Sequence, residues 1–138
     1  MANWNEATIK EFHSKAGKGV GPFGDLLMLL TTVGARSGEE RISPVMFHRD
    51  GDRYVVVASK AGAPDNPAWY RNLKANPAAK VEVAAETGTE KFEVRAREAE
   101  GDERDRIYAE RVAIAPGFGE YERQTSRKIP VMILERTT

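Results

Sequence analysis

Residues 26–59 read LLMLLTTVGARSGEERISPVMFHRDGDRYVVVAS, three strand-length apolar stretches separated by two turns that contain glycine. Leu26 to Val33 is a continuous apolar run, as expected of a strand covered on both faces, and the spacing predicts the central strand there. Gly34-Ala35-Arg36-Ser37-Gly38 turns the chain. Arg41 to Arg49 and Arg53 to Ser59 then read as a hairpin about Asp50-Gly51, with Tyr54 to Ala58 buried.

Toward the C-terminus, Asn66-Pro67 supplies an N-cap and a first-position proline for a short helix, Pro67 to Lys74, which Asn76-Pro77 ends. Val81 and Val83, then Phe92, Val94 and Ala96, alternate with polar residues on either side of Thr87-Gly88, an antiparallel pair with one wet face. Asp102 is placed to cap a helix carrying Ile107, Tyr108, Arg111, Val112 and Ala115 on one side, and Pro116-Gly117 ends it. Phe118 to Arg127 reads as a flexible aromatic stretch, and Ile129 to Leu134 as the last strand.

Toward the N-terminus, Asn5 is placed to cap a helix whose Trp4, Thr8, Phe12 and Ala16 form one stripe. Such a helix packs on the domain and would also suit a weak peripheral contact with a membrane surface. Gly17, Gly19, Gly21, Pro22 and Gly24 break it. The expected organisation is a helix with a glycine-rich lead-in over 1–24 and one domain over 25–138. Antiparallel strands interrupted by short helices, without strict βα alternation, predict a mainly β, α+β fold: a six-stranded antiparallel barrel with short flanking helices. Side chains fill so small a barrel, so a planar ligand is expected at its rim or in a subunit groove.

Composition narrows the function classes. The 138 residues carry 21 Lys plus Arg against 21 Asp plus Glu, so no global field draws in nucleic acid. The absence of cysteine excludes disulfides, thiolate metal sites and a cysteine nucleophile. His13 and His48 stand apart without metal-ligand spacing, and no metal is expected. The N-terminus lacks a signal-peptide pattern and no apolar run is long enough to span a bilayer, which leads us to expect a cytoplasmic protein, monomer or homodimer.

Three places stand out chemically. The turn from Gly34 to Arg41 gathers backbone amides, a hydroxyl and two guanidinium groups, suited to phosphate or carboxylate, although an ordinary charged turn reads the same way. Ala58 to Tyr70 is a loop rich in small residues running from a buried strand into a helix start, with Lys60 as a cation; Trp69 and Tyr70 equally fit as core aromatics. Phe118 to Tyr121, with Thr125 and Arg127, fits either a substrate lid or a packed surface loop.

At these three places together the sequence resembles the deazaflavin-dependent nitroreductase family of split β-barrel, FMN-binding-like reductases. The likeness runs from Leu26 to Leu134 and is most specific at Leu29 to Gly38 and at Ala58 to Pro77. The resemblance implies the reduced 8-hydroxy-5-deazaflavin coenzyme (F-420), whose tail carries a phosphate and glutamates. It implies that Arg36, Ser37, Arg41 and Lys60 hold the tail, and that Pro44, Ala58, Ser59, Lys60, Asn66, Pro67, Ala68 and Trp69 receive the rest of the coenzyme. Ser59 and Tyr121 would then donate hydrogen bonds to an acceptor that contacts Met46, Phe118 and Tyr121. The implied activity is hydride transfer to a quinone, an enone or a nitroaromatic. Nitroimidazole-reducing relatives are similar to a pattern of three tyrosines where this chain has Ala115, Phe118 and Tyr121, and have tyrosine where it has Met46. Rival readings are a protein that stores the coenzyme without turnover, and an FMN-dependent oxidoreductase of the same fold.

Overall fold

A computed structural model describes residues 4–138. The strands are β1 (Leu27–Val33), β2 (Glu40–Asp50), β3 (Arg53–Val57), β4 (Ala78–Ala84), β5 (Thr89–Glu98) and β6 (Val131–Arg136). They close into one antiparallel barrel in the order β1-β2-β3-β6-β5-β4. Four helices flank it: α1 (Trp4–Lys15), α2 (Ala68–Ala75), α3 (Gly101–Ile114) and α4 (Gly117–Gln124). The expected six-stranded barrel is therefore present.

Alternation decides which side chains fill it. Met28 and Leu30 of β1, Phe47 of β2, Tyr54 and Val56 of β3, Val81 and Val83 of β4, Phe92 and Val94 of β5, and Met132 and Leu134 of β6 form a single buried cluster. Trp69 and Leu73 of α2 join that cluster, so α2 plugs one end of the barrel. At that end lie the close of β1, the start of β2 and the close of β3. Outward residues of β3 and β6, Val55, Val57, Val131 and Ile133, form a second cluster with Ile107 and Tyr108 of α3 and Phe118 of α4.

Several local expectations are corrected. The α2 helix starts at Ala68 with Pro67 in the N-cap position and no side-chain cap; the Asn66 side chain is engaged elsewhere. The α3 helix starts at Gly101, which puts Asp102 inside its first turn, near the positive end of the helix dipole, instead of at the cap. Asn5 lies inside α1, which begins at Trp4. Asp50 pairs with Arg53, so Gly51-Asp52 forms the two-residue hairpin turn, with the positive φ of 66° that glycine tolerates. Phe118 to Tyr121 is helical: Phe118 and Tyr121 are one turn apart on α4, and their contacts below the helix outweigh the poor propensity of Gly117 and Gly119. On α1, Phe12 is buried and Ile9 half-buried against Leu27, Leu29 and Val20, so these apolar residues face the barrel and are not left for a membrane surface.

Candidate functional site

The β1–β2 turn, residues 34–39, is pinned to the plug helix. The Ala35 amide donates to Asn72 Oδ1 at 3.0 Å, Asn72 Nδ2 donates to Thr32 Oγ1 at 3.1 Å, and Asn72 is 8% exposed. Within the turn, the Gly34 amide donates to Glu39 O, Gly38 to Gly34 O, and Glu39 to Ser37 Oγ. Four of the amides are thus consumed, and those of Arg36 and Ser37 have no partner among the described residues. The Arg36 guanidinium is exposed and likewise has no partner among them. Arg41, near the start of β2, pairs with Glu39 at 3.4 Å with its side chain 57% exposed. Two exposed guanidinium groups and two open amides at one turn suit an anion with several oxygens.

The second segment follows β3. Lys60 and Ala61 hold left-handed backbone, φ 46° and 55°, and Gly62 continues the bend at φ 81°. Two successive non-glycine residues there carry strain, which only surrounding contacts maintain. Arg127 provides those contacts. Its Nε donates to Ala63 O at 2.9 Å, Nη1 to Ala58 O at 3.0 Å and to Asn66 Oδ1 at 2.8 Å, and Nη2 to Ser59 O at 2.7 Å. A Cβ built on Gly62 would sit 2.6 Å from Gln124 Oε1 and 3.2 Å from Tyr121 Cα, so α4 rests directly on the bend and only glycine fits there. The Lys60 and Ala61 amides have no partner among the described residues, and neither has the Ser59 hydroxyl. Lys60 Nζ pairs with Asp65 at 3.1 Å, both side chains largely exposed, and its proximity holds the Asp65 carboxyl below its ordinary range.

Both segments hang on α2, the turn at Asn72 and the strained bend through the 63–67 link, separated by ~6 Å of helix rise from Ala68 to Asn72. A ligand with an anionic tail and a flat head can reach both. The β2 face continues the surface: Pro44 is buried and Met46, two residues on, half-buried on the same side. Met46, Phe118, Ala115 and Tyr121 belong to one apolar cluster. Tyr121 packs edge-on against Phe118 with ring centroids 5.1 Å apart, and its hydroxyl has no partner among the described residues. The structure therefore brings Met46, Phe118 and Tyr121 together, next to the Ser59 bend.

Not every candidate offers a side chain. Trp69 is 8% exposed in the barrel core, which leaves its backbone at the open start of α2. Phe118 is 9% exposed and supports Tyr121 from below. Asn66 Oδ1 is held by Arg127. Conversely, Arg127 turns out to organise the bend, a role that reading it as part of a flexible stretch did not give. Also missed was a buried trio behind the cluster, in which Arg111 Nε donates to His48 Nδ1 at 2.9 Å and Nη2 to Val55 O at 2.9 Å. Its signal was a charged residue on the apolar side of α3. A groove of about 580 Å³ lies elsewhere, on the outer face of β1, β2, β4 and β5 near Leu29, Ile42 and Lys80. Mixed charges line it, and it holds none of the groups described above.

The chain is similar to several known proteins. A family model described as F420H(2)-dependent quinone reductase matches residues 4–136. A quinone reductase of that description from Mycobacterium tuberculosis is 40% identical over 114 residues, 79% of this chain and 72% of that protein. A solved F420-H2 dependent reductase is 40% identical with a TM-score of 0.71, over 80% of this chain and 94% of that one. Another solved chain, described as a domain-swapped dimer, is 37% identical with a TM-score of 0.72, over 94% of this chain and 95% of that one.

Proposed function

The chain belongs to the F420H(2)-dependent quinone reductase family, and on that premise we propose how its own residues serve the reduction of a quinone by the reduced deazaflavin. When bound, that coenzyme supplies a hydride, two electrons and a proton's nucleus in one step. The residues present fit it: an unpartnered cation and amides at the β1–β2 turn match an anionic tail, and the open Lys60 and Ala61 amides at the bend match the polar edge of a ring.

Arg36, Arg41 and Lys60 hold the phosphate and glutamates, with Ser37 contributing its open amide. The Lys60 and Ala61 amides and the start of α2 at Pro67 and Ala68 receive the polar edge of the ring system, while Ala58, fully buried in the barrel core, and buried Pro44 support the surface from beneath. Arg127 keeps the bend in its strained shape before any ligand arrives, so the ordering cost is met during folding. Met46 and Tyr121 form the acceptor's wall, and α4 excludes water over it. The Ser59 and Tyr121 hydroxyls, both without partners in the described chain, donate to the acceptor oxygen as charge develops on it.

The observation that carries this reading is the convergence of the bend, α4 and Met46 on one face. With Phe118 and Ala115 in place of hydroxyl-bearing side chains, two of the three hydroxyls of nitroimidazole reducers are missing, and flat quinones are the acceptor class we assign. A cytoplasmic setting belongs to the same reading; no helix among the described residues is long and apolar enough to cross a membrane. Anaerobic mixing of the protein, the reduced coenzyme and a naphthoquinone tests it. Quinone-dependent return of the oxidised coenzyme's visible absorbance is expected; tight binding with no oxidation would make this a storage protein, and tighter binding of FMN would replace the coenzyme.

A further inference from the structure

Arg111 sits on the inner side of α3 and is fully buried. Its guanidinium meets only neutral groups. Nε donates to His48 Nδ1 at 2.9 Å, and Nη2 to Val55 O at 2.9 Å and Met46 O at 3.4 Å. Its Cζ lies 4.8 Å from the centre of the Phe118 ring. Glu110, the next residue, makes no contact with the guanidinium: it stands 3.6 Å from His48 Nε2, on the far side of the imidazole, and pairs with Arg106 at 2.7 Å.

His48 does not neutralise the arginine. Because Nδ1 accepts from Arg111, the ring's proton is on Nε2, which is buried without a hydrogen-bond partner. Burial, with the adjacent guanidinium, holds His48 ionisation down to about 4, and burial lowers Arg111 to about 10. At neutral pH the trio therefore carries one positive charge, on the arginine. The nearest carboxylate, Glu110, lies across the imidazole ring from Arg111 and is shared with Arg106, so no carboxylate touches the guanidinium; burying a cation so is costly, and an apolar side chain would fill the same space at less cost. The charge lies directly behind Met46 and Phe118, and one ring further is Tyr121.

We propose that Arg111 is the buried cation that stabilises the negative charge formed on a quinone at the Met46–Tyr121 wall, making that wall selective for acceptors whose reduced form is a phenolate. The inference rests on the function proposed above. In the step concerned, one quinone oxygen gains the hydride and becomes O–H. The displaced electron pair settles on the other oxygen as a phenolate, which later takes a proton from water. The two electrons are those of the coenzyme's broken C–H bond. Arg111 touches neither reactant and acts through space, across the Phe118 ring.

Three variants test this in the complex with the deazaflavin: Arg111→Met, Arg111→Lys and His48→Glu. The last keeps Arg111 and puts a carboxylate where its Nε now donates, cancelling the charge while retaining a link between α3 and β2. For an acceptor charge roughly 8 Å away at an effective dielectric of about 20, single-turnover hydride transfer to menadione should fall about thirty-fold in Arg111→Met and in His48→Glu. Arg111→Lys should stay within about three-fold, and menadione KM and coenzyme Kd should hold within about two-fold in all three. A second readout needs no turnover: with oxidised coenzyme bound, wild-type protein should shift the ionisation of added 4-nitrophenol, seen by its yellow phenolate, to lower pH, and His48→Glu should abolish the shift. A His48→Glu enzyme as fast as wild type overturns the proposal, as does wild-type protein that leaves 4-nitrophenol unshifted. Should Arg111→Met not fold, His48→Glu alone decides. Wild-type protein that binds no deazaflavin overturns the proposed function itself, whereas normal turnover with indifferent variants removes only Arg111.

Discussion

Replacing Arg127 by methionine removes four hydrogen bonds from one strained bend. Each joins a guanidinium to an oxygen, a contact worth about 1.5 to 3 kcal/mol when truncated. The four are not additive, and Arg127 is half-buried, so water recovers part of the loss. Against this, left-handed backbone at Lys60 and Ala61 releases about 1 to 2 kcal/mol per residue when the clamp is gone. The expected net loss is about 2 to 4 kcal/mol, spent on local opening of residues 58–66 while the barrel persists. Coenzyme binding, which needs that bend closed, should weaken about thirty-fold or more. Hydrogen exchange locates the effect: the Gly62 and Ala63 amides, which donate to Ser59 O and Lys60 O, should exchange faster while barrel amides such as those of β5 do not. Arg127→Lys should not rescue either readout, because one ammonium group cannot span the four acceptors that the planar fork reaches. Unchanged exchange at Gly62 and Ala63 together with unchanged affinity would refute the clamp.

The same structure yields three further expectations. Arg36→Ala and Arg41→Ala should each weaken coenzyme binding by about 1.5 kcal/mol, the low end for a charge-assisted contact because both side chains are exposed, with the loss shrinking in salt; calorimetry at two ionic strengths checks this, and equal affinities would remove the turn from the site. Tyr121→Phe should lower quinone turnover about tenfold or more while coenzyme Kd stays within two-fold, and steady-state kinetics that show equal turnover would reduce Tyr121 to packing. His48 is held down to about 4 from 6.5, so the unfolded chain binds a proton that the folded one refuses. Stability from this source is complete above about pH 6.5 and declines as pH falls toward about 4, by about 3 kcal/mol. Denaturant melts of wild type and His48→Gln across that window should show a flatter dependence in the variant; parallel curves would contradict it.

The barrel was legible because its strands announce themselves. Val81, Val83, Phe92, Val94 and Ala96 alternate inward, and each lies in the core the alternation predicts. Helix starts were legible only to within a residue or two, since Asn66 and Asp102 carry good capping side chains that the tertiary structure uses otherwise or not at all. The α4 helix was hidden because two glycines lower its propensity and its order comes from outside: Tyr108 donates to Phe118 O at 2.7 Å, and Arg111 lies over the Phe118 ring. The candidate site was readable as residue types in three segments, but its organisers were not. Arg127 acts on residues 61 to 69 positions away and Arg111 on residues 56 to 65 away, distances at which no sequence period operates.

The central claim is that one continuous site, hung on α2, grips an acidic tail at the β1–β2 turn and lays the deazaflavin ring along the Ser59 bend. Its most direct test compares the affinity of the complete oxidised coenzyme with that of the same deazaflavin lacking phosphate and glutamates. The complete molecule should bind about thirty-fold tighter or more at low ionic strength, two charge-assisted contacts being lost in the short one, and the gap should narrow as salt is raised. Equal affinity of the two, at any salt, would contradict the account.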